Sequence, residues 1–244
     1  MKDYTAENII NLSLYSFMFG LLFQLSIIFL IIMFTKNIMD MKKYNEESSL
    51  VELKEFKIEQ NKRIMNPLLI DFKFEKEFDL EKMYLDNPLK YFLNSNQVIR
   101  YSDFAFFENI NIYNQPELIG ELNINTICND IFDKFKNQFS FNTVYSGSIF
   151  QGVNNIELQK NKNNILILGC LQNNCDVYLY NPKHEEYLTS DKRKKWGIKV
   201  ELKKDKLLYI PTNWFYTIET ENRCVLLHIR SDTYFTSIYN EYRN

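Results

Sequence analysis

The longest apolar run of the chain lies close to its N-terminus. No charged side chain occurs from Asn8 to Thr35, and residues 9–34 are dominated by Leu, Ile, Phe and Met. A helix of this length crosses about 30 Å of hydrocarbon. The run lacks the basic leader, short apolar core and small-residue cleavage site of a signal peptide, so we expect it to stay as an anchor in the lipid bilayer.

The charges that flank the apolar run predict its orientation. Lys2 precedes the run, whereas Lys36, Lys42 and Lys43 follow it closely. Because Lys and Arg near a span favour the cytoplasmic side, we expect a single-pass membrane protein whose C-terminal part is cytoplasmic. The only Asn-x-Ser/Thr sequence lies inside the apolar run, which agrees with this orientation.

Three residues of the apolar run share one helical face. Ser16, Gly20 and Gln24 recur every four positions. Small residues let two membrane helices approach closely, and a Gln can hydrogen-bond across such an interface. We therefore expect either a homo-oligomer through this face or a monomeric helix that tolerates a few polar residues.

The chain becomes polar after the apolar run. We interpret residues 1–8 as a short tail and residues 35–66 as a polar stalk, partly helical because Ser49-Leu-Val-Glu52 resembles a capping box. Residues 67–244 have the length of one domain. Short apolar runs separated by Asn, Asp and Pro predict a mainly β (α+β) sandwich or small barrel there. The predicted strands are 68–72, 97–101, 143–145, 165–171, 177–180, 197–202, 206–210, 216–219 and 224–229.

Two helices are predicted within the β-rich part. Asp79 can cap a short one. Ile127, Ile131 and Phe135 recur at helical spacing behind Asn125, which predicts an amphipathic helix over 125–139.

Composition excludes some functions and indicates an origin. A net charge of −2 and a pI near 5.8 make a nucleic-acid-binding protein an unfavoured interpretation. Abundant Asn, Lys, Ile, Phe and Tyr indicate an AT-rich genome, such as that of a large DNA virus, so a virion membrane is one expected location.

The cysteines do not form a metal-binding pattern. Cys128, Cys170, Cys175 and Cys224 include no Cys-x-x-Cys pair and no neighbouring His at zinc-finger spacing. We expect buried free thiols in a reducing compartment, with disulfides or a metal as the alternative.

Three segments resemble a known family. They are 164–171 (NILILGCL), 177–184 (VYLYNPKH) and 200–216 (VELKKDKLLYIPTNWFY). They are similar to the JmjC-type, or cupin-like, branch of the double-stranded β-helix proteins, best over 141–230 and most specifically over 207–214. The resemblance implies a double-stranded β-helix fold. Many members of that family are Fe(II)- and 2-oxoglutarate-dependent hydroxylases or demethylases.

The family's iron ligands can be sought at their expected positions. The chemistry needs two His and one carboxylate on one face of the iron. Tyr216 stands where the resemblance implies the distal His, and residues 153–161 contain Glu157 but no His. His184 follows a predicted turn, and His228 lies in the last predicted strand.

We therefore expect a pseudoenzyme: a catalytically degenerate binding or structural module without a catalytic residue, a metal or a cofactor. The alternative is an oxygenase that uses Fe(II) and 2-oxoglutarate with Glu157, Tyr216 and His228 as unusual ligands. Neither a nucleophile motif nor a phosphate-binding Gly-rich loop offers another enzyme class.

One local cation cluster occurs in this acidic chain. Lys192, Arg193, Lys194 and Lys195 precede Trp196. Such a cluster can bind an anion, a lipid headgroup or a nucleic acid, and the alternative is a solvated loop.

Aromatic residues surround the most specific part of the family resemblance. Tyr209, Trp214, Phe215 and Tyr216 predict core and rim positions of the β-helix. They could also line a pocket for a ligand.

Overall fold

We describe the protein from a computed structural model. The residues that the structure describes are 6–45, 47–54, 64–74, 82, 85–86, 89, 91–94, 97–100, 110–113, 131, 143–152, 156–188, 193–221 and 224–243. The chain divides into two compact units, residues 1–40 and 41–244.

The first unit is a single long helix, α1 (Ala6–Met41). Its segment Leu14–Asp40 is long and apolar enough to cross a membrane. The helix continues past the predicted span, and there its polar side chains bond to its own carbonyls: Thr35 Oγ1 donates to Ile31 O at 2.9 Å, and Asn37 Nδ2 donates to Met33 O at 2.7 Å.

The second unit is mostly β-sheet. Its described strands are β1 (Val51–Leu53), β2 (Leu68–Asp71), β3 (Tyr91–Asn94), β4 (Gln97–Arg100), β5 (Ile110–Tyr113), β6 (Thr143–Gly152), β7 (Ile156–Lys160), β8 (Ile165–Gln172), β9 (Cys175–Tyr180), β10 (Ile198–Leu202), β11 (Lys206–Pro211), β12 (Phe215–Glu219) and β13 (Cys224–Thr233). Two 3₁₀ helices, Pro182–Tyr187 and Arg193–Trp196, lie between β9 and β10, and α2 (Tyr234–Arg243) follows β13.

The eight strands from β6 to β13 pair as one long antiparallel ribbon folded back on itself. β6 pairs with β13, β7 with β12, β8 with β11 and β9 with β10. Successive pairs alternate between two sheets, whose orders are β1-β2-β11-β8-β13-β6-β5 and β10-β9-β12-β7. This alternation is the arrangement of an eight-stranded, two-sheet jelly roll.

The hydrophobic core fills the space between the two sheets. The larger sheet contributes Leu168 and Leu226, and the smaller sheet contributes Val177 and Ile218. Each of these side chains is buried. Alternation of apolar and polar residues along β10 places Val200 and Leu202 in the same core and turns Glu201 outward.

Three tight turns confirm the predicted loop positions. Asn173, Asp205 and Asn213 have φ angles of 58°, 65° and 68°. Each lies in a turn that the sequence predicts. Asn and Asp tolerate this left-handed conformation better than most other residues, which explains their use where glycine is absent.

The stalk interpretation is wrong for residues 51–53. The capping-box pattern predicts a helix there, but Val51–Leu53 forms β1, which pairs in parallel with β2 from Leu68 to Ile70. Val51 N donates to Pro67 O at 3.0 Å. Pairing with the edge of the larger sheet outweighs a weak local helix preference, so the second compact unit starts well before residue 67.

The remaining predicted strands are confirmed with shifted ends. β6 is much longer than the predicted 143–145, whereas β7 and α2 were not predicted. The side chain of Thr233 accepts from Thr236 N at 3.1 Å and caps α2. The helix predicted behind Asp79 starts outside the described residues. Of the helix predicted over 125–139, only Ile131 is described, and it is helical and buried.

Candidate functional site

Tyr216, which stands where the resemblance implies a metal ligand, lies beside the edge strand of the smaller sheet. Tyr216 in β12 lies opposite Gln159 in β7. Tyr216 Oη donates a hydrogen bond to Gln159 Oε1 at 2.8 Å. Tyr216 is buried among the core residues between the sheets, whereas Gln159 is exposed. A phenol therefore stands where the resemblance implies an imidazole ligand, and it is hydrogen-bonded to an amide.

A β-bulge determines which residue of β7 faces Tyr216. Tyr216 pairs with Gln159, and Ile218 pairs with Ile156. Glu157 and Leu158 therefore both lie opposite Thr217, the one residue of β12 between Tyr216 and Ile218. Leu158 packs on the outer face of the smaller sheet. Glu157 is exposed and is not the residue paired with Tyr216. The structure thus brings Tyr216 together with Gln159, which the sequence analysis did not single out.

His228 lies in the other sheet. It is in β13, opposite Leu168 in β8 and Ser148 in β6, and it is 3% exposed. Burial, and to a smaller extent the nearby charge of Arg230, lowers the pKa of His228 to about 3. The imidazole is therefore neutral at physiological pH.

These residues do not fit a facial iron site. Fe(II) oxygenases use two imidazoles and one carboxylate. The paired positions in β7 and β12 hold Gln159 and Tyr216, and their groups are hydrogen-bonded to each other. Within the described ranges, no group of three or more His, Cys, Asp or Glu side chains is placed to hold a metal ion.

The most specific segment of the family resemblance is a buried hydrogen-bonded turn. Asn161 Nδ2 donates to Ile210 O at 2.8 Å and to Pro211 O at 3.1 Å. Asn161 N donates to Trp214 O at 2.8 Å, and Asn213 N donates to Asn161 O at 2.8 Å. Asn161 thereby joins the end of β7 to the turn between β11 and β12. Asn161 was not predicted to have this role, because β7, the strand that it follows, was not predicted.

The predicted rim aromatics are buried. Trp214 is fully buried and its Nε1 donates to Met65 O at 3.2 Å, while Tyr209 Oη donates to Ile64 O at 3.3 Å. Phe215 packs on the outer face of the smaller sheet, beneath Leu188. Trp214 and Tyr209 therefore hold the segment that precedes β2, whereas Phe215 belongs to a small cluster with Tyr180 and Leu188.

The described cysteines are buried free thiols, as predicted for Cys170, Cys175 and Cys224, while Cys128 lies outside the described residues. Burial raises the pKa of Cys170 to about 12. A hydrogen bond with Cys224, together with burial, raises the pKa of Cys175. Protonated buried thiols are poor nucleophiles and poor metal ligands.

A groove of about 680 Å³ lies at the end of the smaller sheet near Cys175. Its lining residues include Asp176, Glu201 and Glu219. Each of these carboxylates pairs with a lysine at 2.6–2.9 Å: Asp176 with Lys199, Glu201 with Lys203 and Glu219 with Lys194. Glu221 is a fourth carboxylate in the lining of the groove.

The two 3₁₀ helices bring aromatic and basic side chains together on the surface. The Trp196 ring lies 4.7 Å from His184 and stacks on Tyr187 at 5.6 Å, measured between ring centroids. Lys195 Nζ lies 5.9 Å from the Trp196 centroid. We call this group the aromatic-basic patch: His184, Tyr187, Arg193, Lys194, Lys195 and Trp196. The first residue of the predicted cation cluster, Lys192, lies outside the described residues.

The predicted helix-contact face is part of α1. Ser16, Gly20 and Gln24 are exposed along that helix, and no atom lies within 4 Å of the position that a Cβ would take on Gly20. Contact with a second copy stays a prediction.

Comparisons with known proteins report likeness of fold. No family model matches this sequence, and no curated protein sequence is significantly similar to it. A cupin superfamily protein from Desulfitobacterium hafniense is 14% identical with a TM-score of 0.28, and the match covers 38% of this chain and 71% of that one. The cupin domain of a Schizosaccharomyces pombe protein is 16% identical with a TM-score of 0.29, over 43% and 66% of the two chains.

A mutant of salicylate 1,2-dioxygenase from Pseudoaminobacter salicylatoxidans is 9% identical with a TM-score of 0.27, over 35% of this chain and 20% of that enzyme. We draw no functional conclusion from these low scores. The strand order itself defines the class of protein, a two-sheet β-sandwich of the jelly-roll type. Besides this β-sandwich, the chain has one apolar helix that is long enough to cross a membrane.

Proposed function

We propose that this chain is a membrane-anchored, catalytically degenerate double-stranded β-helix protein of the JmjC-type branch, which acts as a binding or structural module. Its C-terminal domain is cytoplasmic in this proposal, and a membrane protein of a large DNA virus is the setting that the composition favours. The observation that carries the proposal is the hydrogen bond between Tyr216 and Gln159.

That hydrogen bond supports a structural role for the edge of the smaller sheet. A protonated phenol donates to the neutral amide, and both groups are thereby satisfied without a metal ion. The Tyr216 ring is buried among aliphatic core residues such as Leu226 and Ile218. Packing of this kind stabilises the sandwich, whereas an oxygenase needs open coordination positions for its substrate and dioxygen.

The module has two surfaces for assembly. One is the α1 face that carries Ser16, Gly20 and Gln24, which we propose as the contact with a second copy. The other is the domain surface, where the aromatic-basic patch is the strongest candidate.

The competing function is an oxygenase that uses Glu157, Tyr216 and His228 with Fe(II) and 2-oxoglutarate. To separate the two, the full chain is purified in mild detergent and incubated with Mn(II) or Fe(II) and 2-oxoglutarate. Thermal unfolding and the release of succinate are then measured. We expect no rise in the melting temperature and no succinate above a protein-free blank.

Matched variants make the result specific. Glu157→Gln and His228→Leu each remove one proposed ligand, and Glu185→Gln is the control because its carboxylate pairs with Lys160 on the surface. Succinate release that Glu157→Gln abolishes and Glu185→Gln preserves would overturn the degenerate-module proposal. Identical baseline values for all four proteins would support it.

A further inference from the structure

We propose that the aromatic-basic patch docks on the anionic surface of the membrane that α1 spans. The inference rests on the membrane anchorage in the proposed function, and it adds a second lipid contact located in the β domain. Tyr187 is 52% exposed and Trp196 is 40% exposed, and Lys194 and Lys195 are exposed beside them. Rings with an apolar body and a polar edge are the side chains that proteins place at membrane interfaces.

Chain connectivity keeps the patch close to the membrane. The candidate span ends at Asp40, and Asn45 follows five residues later. Five residues reach at most about 18 Å. The backbone carbonyl of Asn45 accepts a hydrogen bond from Asn181 Nδ2 at 2.8 Å. Asn181 Nδ2 therefore lies within roughly 25 Å of Asp40 along the chain and this hydrogen bond.

Asn181 directly precedes the first of the two 3₁₀ helices that carry the patch. It caps the 3₁₀ helix Pro182–Tyr187, and its side-chain oxygen accepts from Lys183 N at 3.0 Å. Asn45 is thus bonded directly to the residue that caps the helix carrying His184 and Tyr187. Trp196, in the second 3₁₀ helix, packs against both of those rings. The two 3₁₀ helices therefore lie next to each other.

Side-chain hydrogen bonds also join Asn45 to the segment that precedes β2. Asn45 Nδ2 donates to Asn66 Oδ1 at 3.0 Å, and Asn66 Nδ2 donates to Ser49 Oγ at 3.0 Å. Tyr44, directly before Asn45, is 43% exposed. A further aromatic side chain therefore lies beside the point where the chain enters the domain.

The charge of the patch region is complementary to an anionic lipid surface. Around the rings lie the basic residues Lys160, Lys183, Arg193, Lys194 and Lys195 and the acidic residues Glu185, Glu186 and Glu219. Lys160 pairs with Glu185 and Lys194 with Glu219. The local excess is positive although the chain as a whole is acidic. Basic residues near a bilayer that contains phosphatidylserine are attracted to it.

The two tryptophans of the chain make docking measurable. Trp196 is exposed and Trp214 is fully buried, so lipid-borne quenchers reach only Trp196. The full chain is reconstituted in vesicles of brominated phosphatidylcholine, with or without phosphatidylserine. We expect quenching of tryptophan fluorescence that increases with phosphatidylserine, decreases at high salt and is lost in Trp196→Phe.

A charge-matched pair of triple variants tests the basic side chains. The test variant is Arg193→Gln, Lys194→Gln and Lys195→Gln. The control is Lys199→Gln, Lys203→Gln and Lys206→Gln, whose lysines also pair with carboxylates but lie on or next to β10 and β11. We expect quenching to be lost in the test variant and kept in the control. Melting temperatures of both triples show whether the domain remains folded.

Three results would overturn the proposal. The first is equal quenching of wild type and Trp196→Phe, and the second is equal quenching of the two triple variants. The third is salt-sensitive binding of a single-stranded oligouridylate that the test triple abolishes, without lipid quenching, because it would identify a nucleic-acid surface. Alkaline carbonate extraction separates these results from failed anchorage, since a chain that α1 does not anchor is released from the vesicles.

Discussion

The chain has two tryptophans and two histidines, and one ring of each type lies in the interior while the other lies in the aromatic-basic patch. Trp214 and His228 are buried between or beside the sheets. Trp196 and His184 stack on each other at the surface. The same side-chain chemistry therefore occurs in two environments within one domain.

The interior copies act on the fold. Trp214 is surrounded by protein and donates its one N–H to Met65 O, and His228 stays neutral inside a sheet. The rings of Trp196 and His184 are partly exposed to solvent. Their packing therefore contributes little to stability, and they remain available to bind a partner. The difference indicates that residues 207–214, where the family resemblance is most specific, stabilise the fold. The two 3₁₀ helices instead carry the exposed aromatic and basic side chains.

The largest expected effect distinguishes the two tryptophans. Trp214→Ala should lower the free energy of unfolding by about 3–5 kcal/mol, because it leaves a cavity in the core and an unsatisfied carbonyl at Met65. Trp214→Phe keeps much of the ring packing and should cost less, including about 1 kcal/mol for the lost hydrogen bond. Urea unfolding of the full chain in detergent, followed by near-UV circular dichroism, measures both values. Equal losses for the Ala and Phe variants would contradict this account of the turn.

The second effect distinguishes the two histidines by pH. The pKa of His228 falls from 6.5 in the unfolded chain to about 3 in the folded one, because burial disfavours the charged ring. Below pH 6.5 the unfolded state binds a proton that the folded state does not, so stability is lost as the pH falls from 6.5 towards 3. Between pH 7 and pH 4 this residue should remove about 3 kcal/mol.

Matched substitutions isolate this contribution. His228→Leu removes the titrating ring, so its unfolding free energy should vary less between pH 7 and pH 4 than that of the wild type. Burial also lowers the pKa of His184, but this ring is only partly buried, so His184→Gln should keep more of the wild-type acid sensitivity than His228→Leu does. An unchanged pH dependence in His228→Leu would assign the acid sensitivity to other groups.

Much of the fold was predictable because local residue types determine it. Asn173, Asp205 and Asn213 marked turns that need a left-handed residue, and the apolar runs between them became strands. Val51–Leu53 was not predictable as a strand. Three residues carry little strand propensity, and their pairing partner β2 begins only at Leu68. Tertiary pairing decided its conformation.

The candidate sites were less predictable because they depend on register. The sequence offered Tyr216 and Glu157 as separate candidate ligands, but the bulge in β7 places Gln159, and not Glu157, opposite Tyr216. A bulge shifts pairing by one residue and leaves no clear signal in a single sequence. Likewise, His184 and Trp196 are twelve residues apart, and only the folding of two 3₁₀ helices stacks their rings.

The smallest expected effect concerns Trp196 and completes the comparison with Trp214. Trp196→Ala removes a half-exposed ring, so the loss of unfolding free energy should stay below about 1 kcal/mol, the usual range for a surface aromatic pair. Tyr187→Ala should lower stability by a similar amount, and the double variant should cost less than the sum of the two single losses because both remove the same stacking contact. A double-mutant cycle of urea unfolding measures this coupling. A loss for Trp196→Ala as large as that for Trp214→Ala would mean that the patch is part of the structural core, and its exposed rings could not then be interpreted as a surface reserved for the membrane.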